Sequence, residues 1–119
     1  MKKILVIDDD AGMLAFLQKR LEQAGYQVHA VLNGEAGLAA IAAELPDLII
    51  VDVIMSGLDG HSFLTEVRSA ERSRHTPLII ISAKGELAEL FRMENVAAFF
   101  RKPFKAEDII AKVHELVGS

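Results

Sequence analysis

Cysteine is missing from this 119-residue chain. With it go disulfides, thiolate metal sites and a cysteine nucleophile, and the absence suits a reducing compartment. Long apolar runs are missing too: no stretch approaches the roughly 20 residues of a bilayer span. The N-terminal run Ile4–Ile7 is too short for a secretory h-region, and acids stop it. An excess of positive charge is also lacking. The net charge of −4 argues against a nucleic-acid surface. The histidines at 29, 61, 75 and 114 are scattered and form no pair at helical ligand spacing, which sets zinc and copper aside. No linker, repeat or low-complexity segment interrupts the chain, and its length fits one domain, 1–119. The expectation is a cytoplasmic protein with no membrane span and no direct nucleic-acid contact.

What is plentiful is apolar: 51% of the residues, ample for a core. Three short continuous runs, Ile4–Ile7, Leu48–Val51 and Leu78–Ile81, suit strands covered on both faces. Tyr26–Val31, YQVHAV, alternates and suits an edge strand. Ala97–Arg101 is a fifth, short candidate ahead of Pro103. Helical patterns lie between. Leu14, Leu17 and Leu21 share a face that Gly25 closes, and Leu38, Ile41, Ala42 and Leu45 share one that Pro46 closes. Phe63, Leu64 and Val67 make a third, Leu87, Leu90 and Phe91 a weaker fourth, and Ile109, Ile110, Val113 and Leu116 the last. The alternation βαβαβαβαβα with right-handed crossovers predicts an α/β fold. The expected form is a flavodoxin-like (βα)5 three-layer sandwich with a parallel five-stranded sheet in the order 2-1-3-4-5.

Ligands of such folds bind beyond the carboxyl ends of the strands, where strand order reverses. Asp8, Asp9 and Asp10 follow the first strand, Asp52 the third, Ser82 the fourth, and Lys102 with Pro103 the fifth. Strand two ends in Asn33-Gly34, read as a plain turn. Two carboxylates about 5 Å apart repel by roughly 3 kcal/mol at an effective dielectric near 20. Asp8, Asp9 and Asp52 together exceed what Lys102 alone can neutralise, so a hard divalent cation, magnesium or manganese, fits best. Cation, Ser82 and Lys102 would each meet one oxygen of a phosphoryl group carried on Asp52, a carboxylate nucleophile that needs no general base. Asp10 reads as the N-cap of helix one, Asp59-Gly60 as a turn into helix three, and the basic stretch Arg68–His75 as a solvated helix end.

The pieces ILVIDDD, DLIIVDVIMSGLDG, PLIIISA and FFRKPF stand in order at the expected strand ends. Over nearly its whole length the chain resembles bacterial response regulator receiver domains of two-component systems. The resemblance implies a phosphorylation-activated signalling switch, with Asp52 as phosphoacceptor, Asp9 as a direct magnesium ligand and Asp8 acting mainly through water. It adds the backbone carbonyl of Ile54 to the metal set, makes Ser82 and Phe99 the switch pair, and implies a cis Lys102–Pro103 bond. The implied phosphodonor is a sensor histidine kinase or histidine phosphotransfer protein. Output would pass to a downstream protein, or to a homodimer, through the face of helix four, strand five and helix five. The domain would catalyse only its own phosphorylation and dephosphorylation, so it is not an enzyme with an external substrate.

Four features bear on that pattern. Ser56 replaces a usual proline, the Ser82-to-Lys102 spacing is about two residues short, and Asn95-Val96 replaces Gly-Ala before strand five. Ile54, two residues after Asp52, is apolar and would hinder an attacking water. Two other functions compete. A phosphorylation-independent scaffold would keep the shape without the switch. A haloacid-dehalogenase-like phosphatase would use an aspartyl nucleophile after strand one; Asp8 and Asp10 supply a D-x-D, but Gly12 and Met13 do not continue that motif.

Overall fold

A computed structural model of the chain describes residues 1–52, 54–55, 58–83 and 96–118, with side chains described outside 54–61. The elements are β1 (Lys3–Ile7), α1 (Ala11–Gln23), β2 (Gln27–Val31), α2 (Gly34–Ala43), β3 (Leu48–Asp52), α3 (Gly60–Ser69), β4 (Leu78–Ser82), β5 (Ala98–Arg101) and α4 (Ala106–Val117). The strands form one parallel sheet in the order β2-β1-β3-β4-β5, the predicted order. A short antiparallel ladder pairs Ile54–Met55 with Leu58–Asp59 just before α3, where only a turn at Asp59-Gly60 was expected. The expected fourth helix with Leu87, Leu90 and Phe91, and the departures at Ser56 and Asn95, lie outside the described residues.

The core explains why the strand runs lack a period of two. On one face of the sheet, Leu5, Ile7, Ile49, Val51, Leu78 and Ile80 pack against Ile41 of α2 and Phe63, Leu64 and Val67 of α3. On the other, Ile4, Val6, Leu48, Ile50, Ile79 and Ile81 pack against Leu14, Leu17 and Leu21 of α1 and Ile109 and Val113 of α4. Both faces are covered, so β3 and β4 are buried at every residue. Each such side chain contributes about 1.5–3 kcal/mol. At the edge, β2 is buried less evenly, as its alternation required. Phe99 packs with the first layer and Phe100 with the second, so the two rings of β5 serve opposite faces.

Local chemistry sets the helix ends. Asp10 caps α1 as expected, its carboxylate accepting from the N–H groups of Gly12 and Met13. Gly25 ends the α1 turn at φ 101°, a left-handed value that glycine adopts without a Cβ clash. Asn33-Gly34 is not a plain turn. Asn33 is the N-cap of α2, accepting from Ala36 N–H at 2.7 Å, and Gly34 opens the helix. Asn favours turns and caps by the same side-chain-to-backbone bond, so sequence alone does not separate them.

Most of the stretch Arg68–His75 is exposed, as expected, and the correction concerns Arg68 and Ser73. Arg68 is half-buried and tied down: its Nη1 donates to the carbonyls of Ser73, Arg74 and Thr76 at 3.4, 3.1 and 2.8 Å. Ser73 is buried and donates its hydroxyl to Val67 O at 2.6 Å.

Candidate functional site

Sheet register assembles the site. Ile7 of β1 pairs with Val51 of β3, so the next residues, Asp8 and Asp52, stand side by side at the rim. Asp52 pairs with Ile81 of β4, and Ser82 is one step further. Ser82 pairs with Arg101 of β5, and Lys102 is again one step further. Parallel strands about 4.8 Å apart thus deliver four polar residues to one rim. The main chain continues the pattern beyond the strands: Asp8 N–H donates to Val31 O at 3.2 Å and Lys102 N–H to Ser82 O at 2.7 Å.

Lys102 reaches back across β4. Its Nζ lies 2.7 Å from Asp52 Oδ2 and 2.9 Å from Asp8 Oδ2. The sequence reading paired this lysine with the acids in general; the structure shows one ammonium bridging two of them. Asp8 is fully buried, Asp52 is 5% exposed, and Ser82 is fully buried. Asp9 is exposed at the mouth of the pocket. The other oxygen of Asp8 accepts from Asp10 N–H at 2.9 Å. That bond had no counterpart in the sequence reading, although the Asp10 cap was a signal for it.

Burial pushes the Asp8 carboxyl above its usual range, and the nearby charge of Asp52 adds to this. The Asp10 N–H and Lys102 oppose the rise without cancelling it. For Lys102, burial acts downward, but its bonds and charge pairing with Asp52 and Asp8 outweigh it and hold the ammonium above its ordinary value.

Further positive charge fits this pocket. One ligand oxygen from each of Asp8, Asp9 and Asp52 falls within 4.8 Å of the others, and among the described residues this is the one such group. The donors are all hard carboxylate oxygens, with no histidine or cysteine in the group, which suits magnesium or a similar ion. Ile54 opens the short ladder two residues beyond Asp52, and its side chain is outside those described. Phe99 is half-buried and faces the α2–α3 layer. The Lys102–Pro103 bond is cis, as the resemblance implied. Among the described residues no helix is long and apolar enough to cross a membrane.

Known proteins are similar to this chain in sequence and fold. Residues 4–114 match the response regulator receiver domain family. The probable transcriptional regulator ycf27 of Pyropia yezoensis is 32% identical over 118 residues, covering 98% of this chain and 47% of that protein. The alkaline phosphatase synthesis transcriptional regulatory protein PhoP of Bacillus subtilis is likewise 32% identical over 118 residues, covering 98% and 48%. The chain therefore spans about half the length of these curated relatives. The chemotaxis response regulator CheY4 of Vibrio cholerae has a TM-score of 0.90 at 25% identity, over 98% of both chains. TrrA of Thermotoga maritima, solved in complex with Mg2+–BeF, has a TM-score of 0.86 at 27% identity, over 98% of this chain and 99% of its own. Sharing a CheY-like fold almost end to end and a family match that runs from β1 into α4, the chain belongs to the response regulator receiver domain family.

Proposed function

We propose that residues 1–119 form a single receiver domain that acts as a phosphorylation-controlled switch, with Asp52 as the phosphoacceptor. The observation that carries this reading is the Lys102 ammonium 2.7 Å from Asp52 Oδ2 inside a pocket of three carboxylates. An oxygen of Asp52 attacks the phosphorus of a phosphohistidine on a sensor histidine kinase or histidine phosphotransfer protein. The P–O bond forms as the P–N bond breaks, and the bonding pair returns to the partner's imidazole. Lys102 then faces an oxygen of the transferred group instead of a bare carboxylate, and the Ser82 hydroxyl approaches another. A magnesium or manganese ion held by Asp8, Asp9, Asp52 and the Ile54 carbonyl would neutralise charge on the phosphoryl oxygens. The Mg2+–BeF complex of TrrA supports this assignment by likeness of fold.

Such transfer asks for in-line positioning and charge neutralisation more than for covalent work by the protein. Output passes from Ser82 to Phe99 and alters the face built from the helix before β5, β5 itself and α4. A downstream protein or a second copy of the chain would read that face. The domain modifies itself, turns over no external substrate and works in the cytoplasm.

Incubation with a small phosphodonor and Mg2+, followed by intact-mass analysis, tests the reading. Wild type gains one phosphoryl group, while Asp52→Asn or excess EDTA abolishes the gain. Labelling of Asp52→Asn at the wild-type level would contradict the assignment. Partner binding that ignores the phosphodonor would favour a scaffold, and sustained hydrolysis of p-nitrophenyl phosphate would favour a phosphatase.

A further inference from the structure

Once Asp8, Asp9 and Asp52 are assigned to the pocket, the third acid of the opening cluster is left over. Asp10 is exposed and lies outside the ligand group, yet it is engaged on every side. Its N–H donates to Asp8 Oδ1 at 2.9 Å. Its Oδ1 accepts from Gly12 N–H at 2.9 Å and Met13 N–H at 3.2 Å. Its carbonyl accepts from Leu14 N–H at 3.0 Å. The N–H that holds Asp8 therefore cannot turn away without breaking the cap of α1. With one oxygen held by that N–H and the other by Lys102, the Asp8 carboxylate has little freedom to rotate. Gly12 makes room for the arrangement. A Cβ there would stand 3.2 Å from Asp10 Oδ1, inside ordinary van der Waals contact.

We propose that Asp10 and Gly12 are positioning residues for the cation pocket: the Asp10 cap aims its own N–H at Asp8 and so holds that carboxylate in the orientation a divalent ion requires. This rests on the reading of Asp8, Asp9 and Asp52 as cation ligands. Partners behind a metal ligand tune affinity by fixing the ligand's direction.

The experiment is a Mg2+ titration of the whole chain followed by amide NMR in about 0.15 M salt, where distant charge is screened. Melting temperatures are recorded alongside. Asp10→Ala weakens the apparent Mg2+ affinity roughly fivefold. Asp10→Asn keeps the capping oxygen without the charge and stays within about twofold of wild type. Gly12→Ala weakens binding in the same direction even though alanine is the better helix former. A cap with a merely structural role lowers the melting temperature of Asp10→Ala and leaves affinity alone, which overturns the proposal. Failure of asparagine to rescue also overturns it, since the effect would then be one of charge. If Asp10→Ala does not fold, Gly12→Ala decides, and wild-type affinity there counts against the inference. A wild type silent to Mg2+ sinks the cation reading and this inference together. A wild type that titrates alongside variants that titrate identically sinks the inference alone.

Discussion

The two ends of the sheet bury charge with different partners. At the carboxyl end of the strands, Asp8 and Asp52 share a side-chain partner, the Lys102 ammonium, and Asp8 also accepts from the Asp10 N–H. At the amino end, Arg68 is answered by main chain, through the carbonyls of Ser73, Arg74 and Thr76 in the turn that feeds β4. Burial lowers the Arg68 pKa, but a guanidinium starts so high that it stays charged. A lysine on a four-carbon stem can move aside for an incoming group, whereas three carbonyls fixed in one turn cannot. The first end can exchange its partner, whereas the second holds a loop in place.

Removing Lys102 is the harshest way to break this comparison. Lys102→Ala leaves Asp8 and Asp52 buried against each other and costs about 3 kcal/mol in urea unfolding at pH 7 with EDTA. A ligand that binds only the folded state stabilises it by mass action. Mg2+ accordingly returns more stability to this variant than to wild type; equal gains would place Lys102 outside the ion's pocket. Arg68→Ala costs about 2 kcal/mol, because carbonyls lose charge-assisted bonds. Added Mg2+ narrows none of the gap between this variant and wild type. If it does, the two ends are coupled and the contrast fails.

The smallest effect sharpens the picture of the amino end. Tyr26 donates its hydroxyl to Gly118 O at 2.7 Å, another side-chain-to-main-chain bond. Burial raises this phenol above the ordinary 10.0. The folded chain keeps the proton at pH values where the unfolded chain has released it. The contribution to stability is therefore complete below about pH 10 and is lost as pH rises through the folded value. Tyr26→Phe removes that alkaline slope and costs about 1 kcal/mol at neutral pH. Parallel pH profiles for the two proteins would show the phenol to be unimportant.

This contrast also marks how far the sequence could be read. The carboxyl end was legible because its residue types are distinctive and the topology says where they meet. Asp8, Asp52, Ser82 and Lys102 each follow a recognisable apolar run, and parallel register lines them up. The amino end was not legible, because carbonyl acceptors have no sequence signature. Arg68–His75 looked like any basic helix end, although Arg68 is half-buried and bonded to main-chain oxygens. Asn33 was placed correctly and given the wrong role. That Phe99 and Phe100 serve opposite layers emerges only from the register of β5. The ladder at Ile54–Met55 and Leu58–Asp59 is too short to carry a period.

Lys102 lies just past the last strand, but its grip extends far inward. Its peptide N–H is tied to the tip of β4, and its ammonium to the acids at the tips of β3 and β1. The rim of the sheet from β5 to β1 is therefore laced by a single residue. A pull on that ammonium is a pull on the backbone beside β5, transmitted over a few bonds without any sliding of the greasy layers beneath.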